Sequence, residues 1–347
     1  MVRKPIVVSS EKKIPRSAKR IDTIAVSREE LFKVRNPQFA KRPFKSSSEW
    51  KIFVRQIAGN EQWIYWPSEN VAARMLDEDS YFELRTARNR VLISHEEQSA
   101  YRGLKVGIAG LSVGASVVSA LALSGGPKMM KIADFDSLEP TNLNRIRAGI
   151  PDIGSKKIEL AANNVWRIDP FADLKLYPKG LTEANVEDFI LGTPRLDVII
   201  DEIDNLALKV ALRLVARRER IPVLMATDSG DSVLIDVERF DLEPKRKIFH
   251  GLAGNLTVGA LRNITPKGWI RLVEKIIGGP YILPRQRAAL GQIGKTLDGA
   301  SRLGTDGMLT GASISLAVRK LAVGGESLPS GRYMLDMEKV LSKQIVR

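Results

Sequence analysis

Between residues 105 and 145 the chain reads KVGIAGLSVGASVVSALALSGGPKMMKIADFDSLEPTNLNR. An apolar β-branched run meets a glycine, a helical stretch of small and aliphatic residues follows, and a second apolar run ends in two aspartates before an Asn/Arg cluster. Strand, tight turn, helix and second strand in that order make a βαβ unit, which packs stably only in a parallel sheet covered by helices. Strand signals at 105–109, 130–134, 174–177, 198–201 and 223–226, separated by helical patterns, continue the alternation. The predicted class is therefore α/β: a doubly wound, Rossmann-like, mostly parallel sheet with an N-terminal arm and a C-terminal helical region.

With 347 residues, 44% of them hydrophobic, the chain can fill one large α/β core with appendages. Residues 1–45 carry 13 Lys and Arg against 4 Asp and Glu, so +9 of the formal +14 lies there. Few large apolar groups and no clear period mark 1–48 as a basic flexible tail. Residues 49–102 read as a strand and helical arm; the stretch from Trp50 is expected to form a small strand or hairpin unit ended by Pro67 and Ser68. Residues 69–102 read as helices, the last capped by Ser94 with Glu96 and Glu97 behind it. Residues 103–250 form the sheet domain, with 232–242 extending the sheet or making an antiparallel flap, and 251–347 read as mainly helical. No apolar run approaches the roughly 20 residues that span a bilayer, and no apolar signal core follows the basic N-terminus, which places the protein in the cytoplasm. Without aromatic interleaving in the basic stretch, a nucleic-acid partner is not expected.

At the first turn, Gly110, Ser112 and Ala115 occupy the positions of a G-x-G-x-x-G pattern, with Gly114 beside the last. Gly110 lets the chain turn sharply, Ser112 still permits close approach to phosphate, and the helix that follows offers free N–H groups to an anion. Asp134 and Asp136 close the second strand at the same mouth. One acid there suits a ribose hydroxyl, but the run 141–145 with Asn142 and Arg145, and Lys157 beyond it, exceeds that need and suits a polyphosphate. Asp201, Asp204 and Asn205 end a later strand on the same carboxyl edge. Carboxylates beside phosphates imply a hard cation, hence magnesium.

On these residues the chain resembles the ThiF/MoeB family of adenylating enzymes, related to the activating domain of ubiquitin-like pathways. The family's glycine turn, D-x-D strand end, N-x-x-R cluster, G-x-x-K helix start and D-N pair correspond here to Gly110, Asp134 with Asp136, Asn142 with Arg145, Gly154 with Lys157, and Asp204 with Asn205. The likeness covers about residues 80–230. More narrowly, the ordered chain resembles the ThiF-type half joined to nitroreductase-like domains in some bacterial proteins, which suggests a nitroreductase-like partner. The resemblance implies an ATP- and Mg2+-dependent adenylation of a carboxylate, often a peptide or protein C-terminus, giving an acyl adenylate and pyrophosphate. In that scheme Arg145, Lys157 and an Arg90 supplied across a homodimer interface offset phosphate charge, and Asn142 positions a phosphate or the carboxylate. Asp204 holds magnesium, while Gly110, Ser112, Gly114, Asp134, Asp136 and Asn205 bind the nucleotide.

The chain contains no cysteine. The structural zinc of many members is therefore not expected, and within this chain no cysteine can accept the acyl group, so an external acceptor is required. Two alternatives stay open: an NAD(P)- or flavin-linked redox partner protein, supported by the turn and Asp134, and a catalytically silent nucleotide-binding dimeric scaffold. His95 and His250, the only histidines, read as structural or surface residues, and Trp50, Trp63, Tyr65 and Trp66 as a packed mini-core or dimer surface. The segment LGTDGMLTG at 303–311 reads as a helix connection, with a lid over the acyl site as the alternative.

Overall fold

The computed structural model describes residues 2–254, 256–262, 264–324 and 328–343. The chain divides into two compact units, one of residues up to Gln98 with Val165–Phe171, the other of Ser99–Asn164 with residues from Ala172 onward.

In the first unit β1 (Ile6–Val8), β2 (Lys19–Asp22), β3 (Glu61–Trp66) and β4 (Val71–Leu76) form a sheet of order β1-β3-β4-β2. The alternating aromatic and aliphatic residues of 61–66 make β3 half of an antiparallel hairpin with β4. Pro67 and Ser68 thus join two strands instead of ending a unit, and Asn70, at φ +52°, supplies the left-handed turn residue. Trp50 lies not in a strand but on a helix, Ser48–Gln56, whose Ser47 side chain caps the amide of Trp50 at 3.1 Å. The segment 69–102 is likewise only partly helical, since β4 precedes the helices Glu78–Thr86 and His95–Gly103. Ser94 and Glu97 cap the latter reciprocally at 3.2 and 2.8 Å, as the sequence suggested.

The basic segment 1–48 is not a flexible tail in this fold. It contributes β1, β2 and the helix Ile24–Arg35, and its Leu31 and Phe32 are fully buried with Phe44, Phe53 and Leu76. Composition misled because the segment supplies only part of a core; the rings that complete it, Trp50 and Phe53, follow later in the chain and pack 5.3 and 5.4 Å from Phe32. The positive charges stay outside, where Arg28 meets Glu61 at 2.6 Å and Lys45 meets Glu29 at 2.5 Å. Arg28 and Glu61 are partly buried and Lys45 is exposed; pairs open to solvent contribute little beside the buried aromatic cluster.

In the second unit β5 (Lys105–Ala109), β6 (Met129–Ala133), β7 (Asp173–Tyr177), β8 (Val198–Asp201), β9 (Val223–Asp228), β10 (Ser232–Glu238) and β11 (Gly331–Asp336) form one sheet of order β11-β10-β9-β8-β5-β6-β7. Strands β5 to β9 run parallel, and β10 and β11 are antiparallel. The chain winds outward from β5 to β7, then crosses back to place β8 on the other side of β5. The carboxyl ends of β5 and β8 therefore flank a topological switch point, where doubly wound sheets open a crevice. The segment 232–242 extends the sheet through β10. Strand β11 was not anticipated in a region read as helical, because the residues that pair with it lie about a hundred positions upstream.

The glycine-rich stretch 303–311 is neither connection nor lid; it opens the helix Gly304–Ala322. A Cβ at Gly307 would stand 3.0 Å from Ser116 Oγ, and one at Gly311 2.7 Å from the Ser116 carbonyl oxygen. These glycines let two helix backbones approach closely, a role that resembles helix breaking when read from sequence alone. Among the described residues, no helix is long and apolar enough to cross a membrane.

Candidate functional site

Strand β5 ends at Gly110, whose φ of +91° belongs to glycine. A Cβ there would lie 2.3 Å from the carbonyl oxygen of Glu202, just past β8, so the missing side chain lets the turn nest against the neighbouring strand end. The helix Gly114–Leu123 begins directly after it. Asp134, at the end of β6, accepts the Leu111 amide at 2.7 Å with one carboxylate oxygen and the Asp136 amide at 2.8 Å with the other. Burial pushes the Asp134 carboxyl upward, against those two amides and nearby Lys157. Asp134 is thus the clamp that holds the glycine turn to the tip of β6.

Asp136 is half-exposed and receives Lys157 Nζ at 3.0 Å, while the Lys157 side chain is only 8% exposed. Backbone bonds between 136–138 and 154–157, with Gly154 at φ +87°, seat that lysine at the edge of the turn. The run from Glu139 to Arg145 coils over the same edge. Asn142 is buried, and its Oδ1 accepts the Glu139 amide at 3.2 Å, which shapes the coil. Arg145 projects back, donating from Nε to Ser112 Oγ at 3.2 Å and from Nη1 to the Thr141 carbonyl and Asn144 Oδ1 at 3.1 and 2.9 Å. Among the described residues it makes no ion pair. Partial burial lowers its proton affinity, and so does the like charge of Arg302, while Asp228, Asp204 and Glu139 oppose them. A guanidinium held by neutral acceptors beside a phosphate-sized turn is a ready anion site.

The three acidic or amide residues beyond β8 differ sharply. Asp201 is fully buried and is joined to Arg213, with Lys209 Nζ at 3.2 Å. Burial pushes its carboxyl up, but those two cations overrule it and hold the carboxyl below the usual range. Arg213 also meets Glu238 at 2.6 Å and lies 4.1 Å over the Phe249 ring. Asp201 is therefore a core ion pair and not part of a ligand edge. Asn205 uses its Oδ1 to cap the helix Leu206–Arg218 through the Leu208 amide at 3.1 Å. Asp204 alone is open, its side chain 94% exposed with Arg302 at 4.0 Å. Arg90 lies in the first unit, half-exposed, on Glu83 at 2.8 Å and the Val34 carbonyl at 3.1 Å.

Beside the turn opens a cavity of about 400 Å³, lined by Ser112, Glu202, Asp204, Lys209, Asp228 and Arg302 with apolar walls such as Met225 and Ile276. Glu202 accepts the Ala226 amide at 3.0 Å, and burial pushes its carboxyl up to about 8. Of these, Glu202, Lys209, Asp228 and Arg302 were not foreseen. Glu202 and Lys209 flank the Asp204 signal, but nothing near Arg302 in sequence marks it. The described residues contain no group of three or more metal-ligating side chains.

A seven-stranded doubly wound sheet with this turn at its switch point defines an α/β protein of the Rossmann type. Residues 86–297 match the model of the ThiF family, and the chain belongs to that family. Among curated proteins it is 38% identical over 283 residues to an uncharacterized protein, MT1398, of Mycobacterium tuberculosis, which takes in 82% of this chain and 39% of that one. It is 28% identical over 197 residues to tRNA threonylcarbamoyladenosine dehydratase 1 of Saccharomyces cerevisiae, covering 56% of this chain and 43% of that one. The chain thus spans less than half the length of either relative. Among solved structures, E. coli MccB with MccA-N7isoASN matches at a TM-score of 0.52, 15% identity, 89% of this chain and 84% of that one. The structure of MccB with ATP matches at 0.50, with 14% identity over 90% and 87% of the two chains. At such identity these two establish the shared fold.

Proposed function

We propose that the chain binds ATP on the glycine turn, with its phosphates over the start of the helix Gly114–Leu123, and adenylates a carboxylate. The observation that carries this reading is Arg145, without an ion pair among the described residues and bonded to Ser112 of the turn itself. The carboxylate, ionised at neutral pH, attacks the α-phosphorus, and the bond to the bridging oxygen of pyrophosphate breaks. No general base is needed, so catalysis is positioning and charge stabilisation. Arg145 and Lys157 face the developing charge, and Arg90 of a partner subunit adds a third cation. Asp136 reaches the ribose once Lys157 turns from it to phosphate, and Asn142 holds the coil that presents Arg145. Gly110, Ser112, Gly114 and Asp134 form the cradle and its clamp.

The exposed carboxylate of Asp204, on the cavity beside the turn, would hold a magnesium ion together with phosphate oxygens. One or two carboxylates plus phosphate oxygens suffice for this ion, which accords with the sparse donor set. It would supply charge neutralisation on the triphosphate. Within this reading residues 103–250 are the adenylation domain, residues 49–102 the arm that brings Arg90, and residues from 251 the substrate side. The substrate is a peptide or small-protein carboxyl end, the acyl group passes to an external acceptor, and a cytoplasmic homodimer with a nitroreductase-like partner completes the assembly.

The test is ATP–pyrophosphate exchange over a panel of peptide carboxylates, with equilibrium binding of ATP measured beside it. Exchange that disappears in Arg145→Ala while the fold persists supports the reading. Binding of NAD or a flavin in place of ATP overturns it in favour of a redox partner.

A further inference from the structure

The residues that the C-terminal half sends to the glycine turn have no role in the scheme above. Asn144, next to Arg145, donates its Nδ2 to the carbonyl of Arg302 at 2.8 Å. A Cβ at Gly304 would stand 2.4 Å from the Asn144 carbonyl oxygen, so the two segments are in backbone contact. Asp306 then fixes the approach: one carboxylate oxygen accepts the Leu303 amide at 2.9 Å and the other the Asp231 amide at 2.7 Å. Thr305 closes the frame on Asp231 at 2.8 Å. This frame delivers the guanidinium of Arg302 to the cavity rim that Ser112 and Asp204 share, 3.2 Å from Asp228 and 4.0 Å from Asp204.

Arg302 reaches the rim paired with Asp228, whereas Arg145 makes no ion pair among the described residues. Arg145 bonds to Ser112 Oγ and Arg302 lines the cavity that Ser112 also lines, so two guanidiniums share one rim, and the second weakens proton binding by the first. Of the carboxylates nearby, Asp228 is bonded to Arg302, Asp204 lies at the limit of contact and faces solvent, and Glu202 has its carboxyl raised to about 8. Two guanidiniums at one rim repel each other, and an added anion that contacts both relieves the repulsion. The planar fork of arginine suits phosphate oxygens in pairs.

We propose that Arg302 is a second phosphate-binding arginine, supplied by the C-terminal region, which exchanges its resting partners Asp228 and Asp204 for the outer phosphates of ATP. The inference rests on the ATP reading above. In that role Arg302 distinguishes the triphosphate from the monophosphate, whereas Arg145, bonded to the turn itself, serves both.

Calorimetric titration of the full chain with Mg–ATP and with AMP separates the outcomes. In Arg302→Ala the ATP dissociation constant should rise by about tenfold, the loss expected of a partly solvated charge-assisted bond, with AMP affinity changed by less than about twofold. Arg302→Gln, which keeps part of the stem and a polar end without the charge, gives the same result if the alanine variant folds poorly. Asp228→Asn frees the guanidinium and should tighten ATP binding by about threefold, an effect of opposite sign that a structural role cannot produce. Equal weakening of ATP and AMP, or unchanged ATP affinity in both arginine variants, overturns the proposal. Wild-type protein that binds no ATP instead overturns the nucleotide reading on which it rests.

Discussion

The two sides of the switch point both present acids at strand ends, yet they are built for different tasks. On the β6 side Asp134 gives its oxygens to backbone amides, Asp136 stays half in solvent, and Arg145 is held only by neutral acceptors. On the β8 side Asp201, Arg213 and Glu238 are fully buried and bonded to one another. An acid at a strand tip is therefore informative only with its partners known. Where its charge is satisfied by a buried cation it is part of the core, and where cations nearby lack a counter-ion the edge is ready for a ligand.

The largest effect that separates the two sides is expected from Arg213→Met. It leaves Asp201 and Glu238 buried with less compensation and should cost about 3–5 kcal/mol in urea unfolding. A cost below about 1 kcal/mol, comparable with an exposed pair, would erase the contrast. Arg145→Ala should do the reverse. Exchange falls by about 10²–10³, some 2–4 kcal/mol of barrier, while the urea midpoint stays where it was. If midpoint and activity fall together, Arg145 belongs to the scaffold.

Gly110→Ala probes the seam between the sides. A methyl group at φ +91° directed at the Glu202 carbonyl forces the turn and the end of β8 apart, with an expected cost of roughly 2 kcal/mol and weaker ATP binding. Normal stability in that variant would show that the turn does not need glycine. The smallest effect concerns pH. The Glu202 carboxyl lies near 8 in the folded chain against an ordinary 4.5, so the folded state keeps a proton that the unfolded chain releases. This stabilisation is complete below about pH 4.5 and is lost as pH rises toward 8. Glu202→Gln, which mimics the neutral acid, should raise Tm at pH 8 by about 2–4 °C and leave it nearly unchanged at pH 5. An equal shift at both values would mean that Glu202 is ionised throughout.

Much of this was legible from sequence because local rules suffice for it. The apolar runs of β5 and β8 coincide with their predicted spans, the glycine at 110 is explained by a contact that only glycine allows, and Arg145 bonds to Ser112 of the turn while Lys157 pairs with Asp136. Asp201 was grouped with Asp204 because adjacent positions on a strand and its loop look alike as text. Burial separates them completely, and it depends on Arg213, twelve residues later, reaching back across a packed helix. Residues 1–48 read as a tail because their few apolar groups are completed by rings that follow later in the chain.

By itself, then, the sequence determined the βαβ alternation, the turn and the identity of the cations beside it, since each follows from short-range periodicity and backbone stereochemistry. Only the tertiary structure decided which carboxylates are neutralised, that β11 joins the sheet, and that Arg302 arrives at the same rim as Arg145. Those outcomes depend on distances between residues far apart in the chain, and the electrostatic value of a charge is set by the neighbours that folding brings to it.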